Sequence, residues 1–339
     1  SSRYDTPQVV VLRPLAICAT GFAFLWLRVQ HLQAYRPLLV LSGLVLLLTI
    51  AHLVPLPPGI WHLMPGRDIV VEIDAFTGST DIWRPLSLFP EGTWNALYAL
   101  SVPLAVLLLA CQLSEQDLVR LLKWLLFLCL ASGVVGVMQA AGSDLRFYRF
   151  TGGTGGLLAN RNHQAALLAC VFPMLAAWVL TGSYGGSRQR ATRLAAGAGA
   201  ILLVPLILVT GSRMGLVIAS LAFVFTGLVS LRQRSQKGGG GYAWLARVLG
   251  GLAVIAGLVM ATVTVSRDVA LDRLNDAGDE MRWPIWESVS DFIPQYMPWG
   301  TGIGSFVPVY QIHESDDMLM PRYVNQAHND RLDPVLKAG

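Results

Sequence analysis

Residues 121–141 read LLKWLLFLCLASGVVGVMQAA, an apolar run that carries one charged side chain, Lys123. A helix needs about 20 such residues to cross the hydrocarbon core of a bilayer. The whole sequence of 339 residues is 54% hydrophobic and 14% charged, with a mean hydropathy of +0.53, whereas soluble domains carry roughly 25% charged residues. The chain is therefore predicted to be an integral membrane protein.

Similar apolar runs recur along the chain and predict an all-α, polytopic membrane helix bundle. Several are interrupted by Gly, Pro and Ser, which membrane helices tolerate. The bundle is predicted to occupy residues 1–266, followed by a large outer segment, 267–339. The eight predicted spans are 9–27, 37–54, 95–112, 121–141, 163–181, 195–210, 214–231 and 248–266.

Short loops on one predicted side of the membrane are rich in arginine and lysine. By the positive-inside rule this side faces the cytoplasm, so the longer segments 55–94, 142–162 and 267–339 and the turn 210–213 face outward. Basic residues on the outward side run against this bias and favour an anionic ligand there; snorkelling at a helix end is the alternative for each. These residues are Arg146, Arg149, Arg161, Arg213 and Arg282.

Composition and spacing argue against several other functions. The net charge of +4 is small, and no basic-aromatic motif predicts a nucleic-acid partner. The cysteines all lie in apolar runs, which favours buried thiols over disulfides or metal ligands. No Cys/His spacing fits zinc, and Asp316-Asp317 is more typical of a solvated loop than of a metal site. The sequence predicts no metal and no cofactor.

Residues 325–332, NQAHNDRL, form the most polar cluster of the outer segment. His328 is the best candidate for chemistry, because an imidazole with an ordinary pKa of about 6.5 accepts and releases a proton near neutral pH. A solvated loop that happens to contain a histidine is the alternative.

Two other outward-facing motifs combine arginine with a helix start. Asn160-Arg161-Asn162-His163 follows the glycine-rich run 151–156, whose backbone N–H groups could cradle phosphate; a simple helix cap is the alternative. Thr210-Gly211-Ser212-Arg213 places a charge close to hydrocarbon, which favours function over snorkelling.

Residues 281–304 contain an arginine, tryptophans and alternating glycines. Trp283, Trp286, Val289, Ile293 and Tyr296 recur at helical spacing, which predicts an amphipathic helix on the membrane surface. A helix packed against the bundle is the alternative. Residues 300–304, GTGIG, form an alternate-glycine turn that lacks the spacing of a dinucleotide fingerprint.

The order of these motifs resembles the bacterial O-antigen ligase and O-antigen polymerase superfamily of membrane glycosyltransferases. The motifs are NRNH (160–163), GSR (211–213), RWPIW (282–286), GTGIGSF (300–306) and AHND (327–330) with Leu332. The resemblance covers about residues 95–336 and is densest over 151–332; Arg331 and Pro334 depart from the family pattern. It implies a GT-C-like bundle in the bacterial inner membrane, a periplasmic outer segment, and further helices after it.

The resemblance also implies a reaction and its participants. Such enzymes move a glycan from undecaprenyl diphosphate to a sugar hydroxyl on lipid A-core (ligase) or on another lipid-linked glycan (polymerase), beside membrane lipids and without metal or nucleotide sugar. It implies that His328 activates the acceptor hydroxyl and that Arg213 and Arg282 bind the diphosphate. Arg161 is a third candidate for the diphosphate, and Asn329 is a further substrate-binding candidate.

Two readings from other classes remain open. A transporter or lipid-linked glycan flippase would carry charged residues near mid-membrane and often shows repeated halves. Here the predicted span interiors are nearly free of charge, no repeat is visible, and the polar residues gather at one face. A passive scaffold would show no convergence of polar groups at all.

We predict that residues 267–339 lie on the face opposite Arg188, Arg190, Arg193 and Lys237, because of the charge asymmetry of the short loops. Single cysteines introduced near residues 190 and 325 should differ in labelling by an impermeant thiol reagent added from one side. Equal labelling of the two positions would rule this topology out.

Overall fold

A computed structural model describes residues 7–145, 147, 154–181, 186–235, 282–319, 324, 326, 327, 329 and 331–339. The described residues form α-helices, two short 3-10 helices and one small antiparallel sheet, in which β1 (Pro55–Leu56) pairs with β2 (Arg84–Pro85). The helices are α1 (Pro7–Trp26), α2 (Val29–Ala34), α3 (Arg36–Ala51), α4 (Pro58–Trp61), α5 (Asp68–Thr77), α6 (Pro90–Ala110), α7 (Glu115–Ala140), α8 (Arg161–Thr181), α9 (Gly186–Val209), α10 (Arg213–Ser235), α11 (Arg282–Phe292), α12 (Phe306–His313) and α13 (Leu332–Ala338).

Helix length and composition confirm an all-α polytopic membrane bundle. Five described helices are long and apolar enough to cross a membrane: α1, α6, α7, α8 and α9. The apolar helices α3 and Met214–Val229 of α10 are shorter. Many of their large apolar side chains are exposed, as expected where lipid replaces water. The predicted span 248–266 and the predicted boundary at residue 266 lie outside the described residues.

Proline inside these helices does not end them. Pro14, Pro103, Pro173 and Pro205 lie within α1, α6, α8 and α9 respectively. Helix α9 also begins earlier than the predicted span at 195, so Arg188, Arg190 and Arg193 lie in its first turns instead of in a loop. The intervening Ala, Arg and Gln residues favour helix, which extends α9 beyond its apolar part.

The described helices fall into two compact units. One unit contains residues 1–113 and 274–339, and the other contains residues 114–273. In the second unit, α8 packs against α7, α9 and α10, around a core that includes Leu168, Val171, Leu203 and Leu206. Small residues permit this packing, because a Cβ atom on Gly133 of α7 would lie 2.7 Å from Leu206 Cδ1.

In the first unit, a buried arginine joins distant parts of the chain. Arg67 has no solvent exposure. Its Nη1 donates to Pro65 O at 3.0 Å, and its Nη2 donates to Leu86 O at 2.8 Å and Gly300 O at 3.2 Å. Burial lowers the pKa of Arg67 to about 10, so the guanidinium is still charged at neutral pH. The turn at Gly300 is therefore held to the segment between α3 and α6.

The alternate glycines extend this junction by close backbone approach. Gly302 and Gly304 adopt φ angles of +101° and +90°. A Cβ atom on Gly304 would overlap the backbone of Gly92, and one on Gly92 would lie 2.6 Å from Gly304 O. Thr93 Oγ1 also donates to Ile303 O at 2.7 Å. The GTGIG turn is thus a docking segment against the start of α6, where side chains do not fit.

An aromatic and aliphatic cluster lies beside this junction and packs α11, α12 and α13 together. His313 stacks on Phe292 with ring centroids 4.4 Å apart, and its Nε2 shares a 2.8 Å hydrogen bond with Tyr296 OH. Burial lowers the pKa of His313 and raises the pKa of Tyr296. The cluster consists of Ile285, Val289, Phe292, Tyr296, Phe306, Val309, Tyr310, Val324, Ala327 and Leu336.

Gly304→Ala is expected to destabilise the protein more than Gly78→Ala. Both positions have positive φ, which costs a non-glycine residue about 1–2 kcal/mol, but an added Cβ at Gly78 meets nothing within 4 Å. The overlap with Gly92 should cost Gly304→Ala a further ~1–3 kcal/mol. Apparent unfolding temperatures of the purified variants in detergent measure the difference. Equal losses would show that φ strain alone matters at Gly304.

Lowering the pH below about 6.5 should destabilise the cluster around His313. The folded state favours the neutral ring of His313, so the unfolded chain binds more protons at acidic pH. The stability that is present above the ordinary pKa of histidine is therefore lost as the pH falls through the lowered pKa of His313. His313→Gln should flatten this dependence of unfolding temperature on pH. The exposed His163 is a control, and His163→Gln should keep the wild-type slope. An unchanged slope in His313→Gln would contradict the prediction.

Candidate functional site

Arg161 and Arg213 occupy the first positions of two capped helices in the unit of residues 114–273. Asn160 Oδ1 accepts a hydrogen bond from Asn162 N at 2.8 Å at the start of α8. Ser212 Oγ accepts one from Gly215 N at 2.9 Å at the start of α10. Asn160 is therefore a helix cap, as the alternative interpretation of this motif proposed. Arg161 follows it as the first residue of the helix.

These two helix starts are neighbours. Gly215, in the first turn of α10, lies so close to Ala165 in α8 that a Cβ atom on the glycine would overlap the alanine side chain. Helix N-termini carry a partial positive charge, and two adjoining ones favour an anion more than either does alone. The Arg161 side chain is exposed there, and the backbone of Arg213 begins the adjoining helix. The structure thus brings these two predicted positions to one end of the unit.

The described part of the glycine-rich run packs against the same end. Gly156 N donates to Gln139 Oε1 at 2.9 Å, and Leu157 N donates to Ser132 Oγ at 3.0 Å. Thr154 Oγ1 donates to Val209 O, at the end of α9. These contacts already use the backbone N–H groups of Gly156 and Leu157, so these two groups do not form the phosphate cradle that the sequence suggested. Thr154 and Gly156 brace the helix ends beside Arg161.

Arg282 and Asn329 lie in the other unit, where Asn329 lines an open cleft of about 470 Å³. Arg282 is the first residue of α11, and one face of this helix forms a wall of the cleft. We call this space the tryptophan cleft. Its helical wall consists of Trp283, Trp286, Glu287 and Ser290, and its opposite wall consists of Asn329, Arg331 and Leu332.

Helix α11 has two faces with different roles. Ile285, Val289 and Phe292 are buried in the cluster, whereas Trp283 is 72% exposed. Val289 and Tyr296, which the sequence assigned to a membrane-surface stripe, are buried in the aromatic and aliphatic cluster. Residues 283, 286, 287 and 290 follow helical spacing on the cleft face. That spacing is the signal by which the sequence could have revealed this wall, including Glu287 and Ser290.

The chain on both sides of His328 is held in place. Trp286 Nε1 donates to Ala327 O at 2.7 Å, and Ala327 is buried. Asn329 Oδ1 accepts from Arg331 N at 2.9 Å and from Leu332 N at 3.3 Å, which caps α13. His328 itself lies outside the described residues. Its two neighbours are nevertheless fixed to α11 and α13, beside the tryptophan cleft.

The described residues contain no group of three or more His, Cys, Asp or Glu side chains that could hold a metal ion. Asp316 and Asp317 lie exposed in a short 3-10 helix. Independence from metal stays a prediction. Arg67 is the one strongly perturbed arginine that the sequence analysis missed, because its partners are backbone carbonyls far away in sequence.

Comparison with known proteins gives one assignment. Residues 198–339 match the family described as O-antigen ligase. No curated protein and no solved structure matches the chain. The family match confirms the resemblance drawn from the motifs over these residues. The matched residues include Arg213, Arg282, His328 and Asn329.

Proposed function

We propose that this chain, whose residues 198–339 match the O-antigen ligase family, transfers a glycan from undecaprenyl diphosphate to a sugar hydroxyl on the periplasmic face. The family match carries the proposal. The long apolar helices support it, because a lipid-linked donor is delivered within the membrane.

The donor diphosphate is proposed to bind at the adjoining starts of α8 and α10. Arg161 and Arg213 begin these helices, whose N-terminal dipoles add to the charge of the arginine side chains. A guanidinium offers planar, bidentate donors that match phosphate oxygens. Negative charge grows on the diphosphate as it leaves, so fixed positive charge there favours the transition state. Arg282 stays a predicted diphosphate-binding residue.

His328 is proposed as the general base. The acceptor hydroxyl oxygen attacks the anomeric carbon, its proton passes to His328, and the carbon–oxygen bond to the diphosphate breaks with its electron pair staying on the leaving group. A positioned general base contributes about 10²–10⁴-fold. The anchoring of Ala327 and Asn329 supports this role, because a base flanked by fixed residues is held in position. Undecaprenyl diphosphate is already a good leaving group, so no metal or strong acid is required.

The identity of the acceptor can be determined genetically. Deletion of the gene should remove glycan from lipid A-core and leave lipid-linked chains if the enzyme is a ligase. Capping of lipid A-core with a single repeat would instead indicate a polymerase. Unchanged surface glycan would contradict both forms of the proposal.

Substitution of the proposed site residues should separate catalysis from donor binding. His328→Ala should abolish transfer while binding of the lipid-linked donor is retained. Arg213→Ala and Arg282→Ala should weaken donor binding as well, and lysine should restore it only in part because it lacks the planar fork. Transfer and donor binding by the purified variants in proteoliposomes measure both effects.

A matched control is available in Arg193, an exposed arginine on α9 that is predicted to face the cytoplasm. Arg193→Ala should bind donor and transfer glycan as the wild type does. Near-normal transfer by folded His328→Ala would remove the histidine from the mechanism.

A further inference from the structure

The tryptophan cleft combines aromatic faces with groups that hydrogen-bond. Trp283 and Trp286 meet edge to face with centroids 5.2 Å apart, and Glu287 and Ser290 continue the same helix face. Ligand sites are concave, mostly apolar, and carry a few placed polar groups that orient the ligand. The cleft has this composition, and none of its helical wall is used by the proposed chemistry.

The two tryptophan side chains differ in hydrogen bonding and in solvent exposure. Trp286 is fixed by the hydrogen bond from its Nε1 to Ala327 O, so its ring has a set orientation next to the chain that leads to His328. Trp283 is largely exposed and offers its ring to the cleft. Because the two rings meet edge to face, the fixed ring supports the accessible one, and Trp283 is the ring that offers a face to a flat apolar surface.

The polar groups of the cleft suit a neutral ligand with many hydroxyls. Glu287 accepts hydrogen bonds, Arg331 donates them, and Ser290 does both. Asn329 uses its Oδ1 to cap α13, which leaves the Nδ2 end of the carboxamide as a donor. One acidic and one basic side chain give the lining no excess positive charge, so a diphosphate is a poor fit. Leu332 is the single aliphatic lining residue, and the other apolar lining residues are the two tryptophans.

We propose that the tryptophan cleft binds a sugar ring of the transferred or accepting glycan, with Trp283 stacked on the C–H face of the ring. Glu287, Ser290 and Asn329 then hydrogen-bond its hydroxyls. The cleft is then a positioning site beside Ala327 and Asn329, the sequence neighbours of the proposed base His328, and it selects which hydroxyl or anomeric carbon reacts. The identity of the glycan that supplies the sugar rests on the proposed function. The binding of a sugar ring as such rests on the lining of the cleft.

The test uses the full chain in proteoliposomes with lipid-linked glycan donor and lipid A-core acceptor, each varied while the other is saturating. Trp283→Ala should raise the KM for one substrate about tenfold or more, in line with the loss of a tryptophan stacking contact on the sugar ring. An increase for the acceptor alone places the acceptor sugar in the cleft, and an increase for the donor alone places the donor sugar there. Unchanged KM values for both substrates would overturn the proposal.

Conservative variants separate a sugar platform from a lipid contact. Trp283→Tyr should retain most of the affinity, whereas Trp283→Leu, which keeps apolar area but has no aromatic face, should behave as Trp283→Ala. Full restoration by leucine would show that an acyl chain occupies the cleft and would overturn the proposal. Trp299, in the same segment and 51% exposed, does not line the cleft, so Trp299→Ala is the control and should match wild type.

Glu287→Gln distinguishes a sugar from a diphosphate. Glutamine still hydrogen-bonds hydroxyls, so the KM of the affected substrate should change only a few-fold. Tighter binding of undecaprenyl diphosphate without sugars by Glu287→Gln would show that the carboxylate repels a diphosphate in the cleft, and it would overturn the proposal.

A direct binding measurement separates failure of this inference from failure of the proposed function. The oligosaccharide released from lipid A-core, and the delipidated donor glycan, are probed by saturation-transfer NMR against the full chain. Binding of either one by wild type and its loss in Trp283→Ala support the sugar site even if no transfer is observed. Transfer by wild type with equal binding to Trp283→Ala overturns the sugar site and leaves the proposed function standing.

Discussion

A buried guanidinium fixes the turn on which the unit of residues 1–113 and 274–339 depends. Arg67 reaches three carbonyl oxygens, and one of them, Gly300 O, lies 233 residues away in sequence. Burying a charge is costly unless it is paired or hydrogen-bonded. Here the carbonyl dipoles and the nearby Trp61 ring, 5.9 Å from Cζ, offset that cost. Replacing Arg67 would leave carbonyl groups buried without donors, so the residue is difficult to substitute.

The position of the tryptophan cleft follows from this junction. The Gly300 turn leads into α12 through the close approach of Gly304 to Gly92, and α12 packs with α11 and α13 around the aromatic cluster. Both walls of the cleft are carried by elements of this cluster. A site assembled from short helices and an extended chain gains rigidity from such packing, because the helices are too short to be stable alone.

The sequence predicted the features that depend on local composition. The first seven predicted spans all lie on described helices, because an apolar run of sufficient length has few alternatives to helix in a bilayer. Features that depend on distant contacts were predicted less well. The periodicity of Val289 and Tyr296 indicated an apolar face, but periodicity does not distinguish a lipid partner from a protein partner. Arg67 gave no local signal at all, because its carbonyl partners could belong to any residues.

For the candidate site, the sequence predicted which residues begin helices, but not what those residues and their neighbours contact. Arg161, Arg213 and Arg282 all begin helices, a placement that their motifs suggested and that gives each a favourable site for an anion. Glycine signals were less specific. The glycine-rich run before α8 looked like a phosphate cradle, yet the N–H groups of Gly156 and Leu157 are bound to Gln139 and Ser132. Close packing of backbone can require glycine, as close approach of a ligand does.

The proposed division of roles between charged and neutral surfaces has a physical reason. A histidine close to fixed positive charge holds its proton less well, so it is a weaker base. The adjoining helix starts of α8 and α10 provide positive charge suited to a diphosphate, whereas the lining of the tryptophan cleft includes both Glu287 and Arg331. A base that is reached through the cleft and not through the arginines keeps the proton affinity that it needs. The proposed function therefore assigns the diphosphate to the helix starts and the sugar to the cleft, so that the proposed base keeps the proton affinity that the transfer needs.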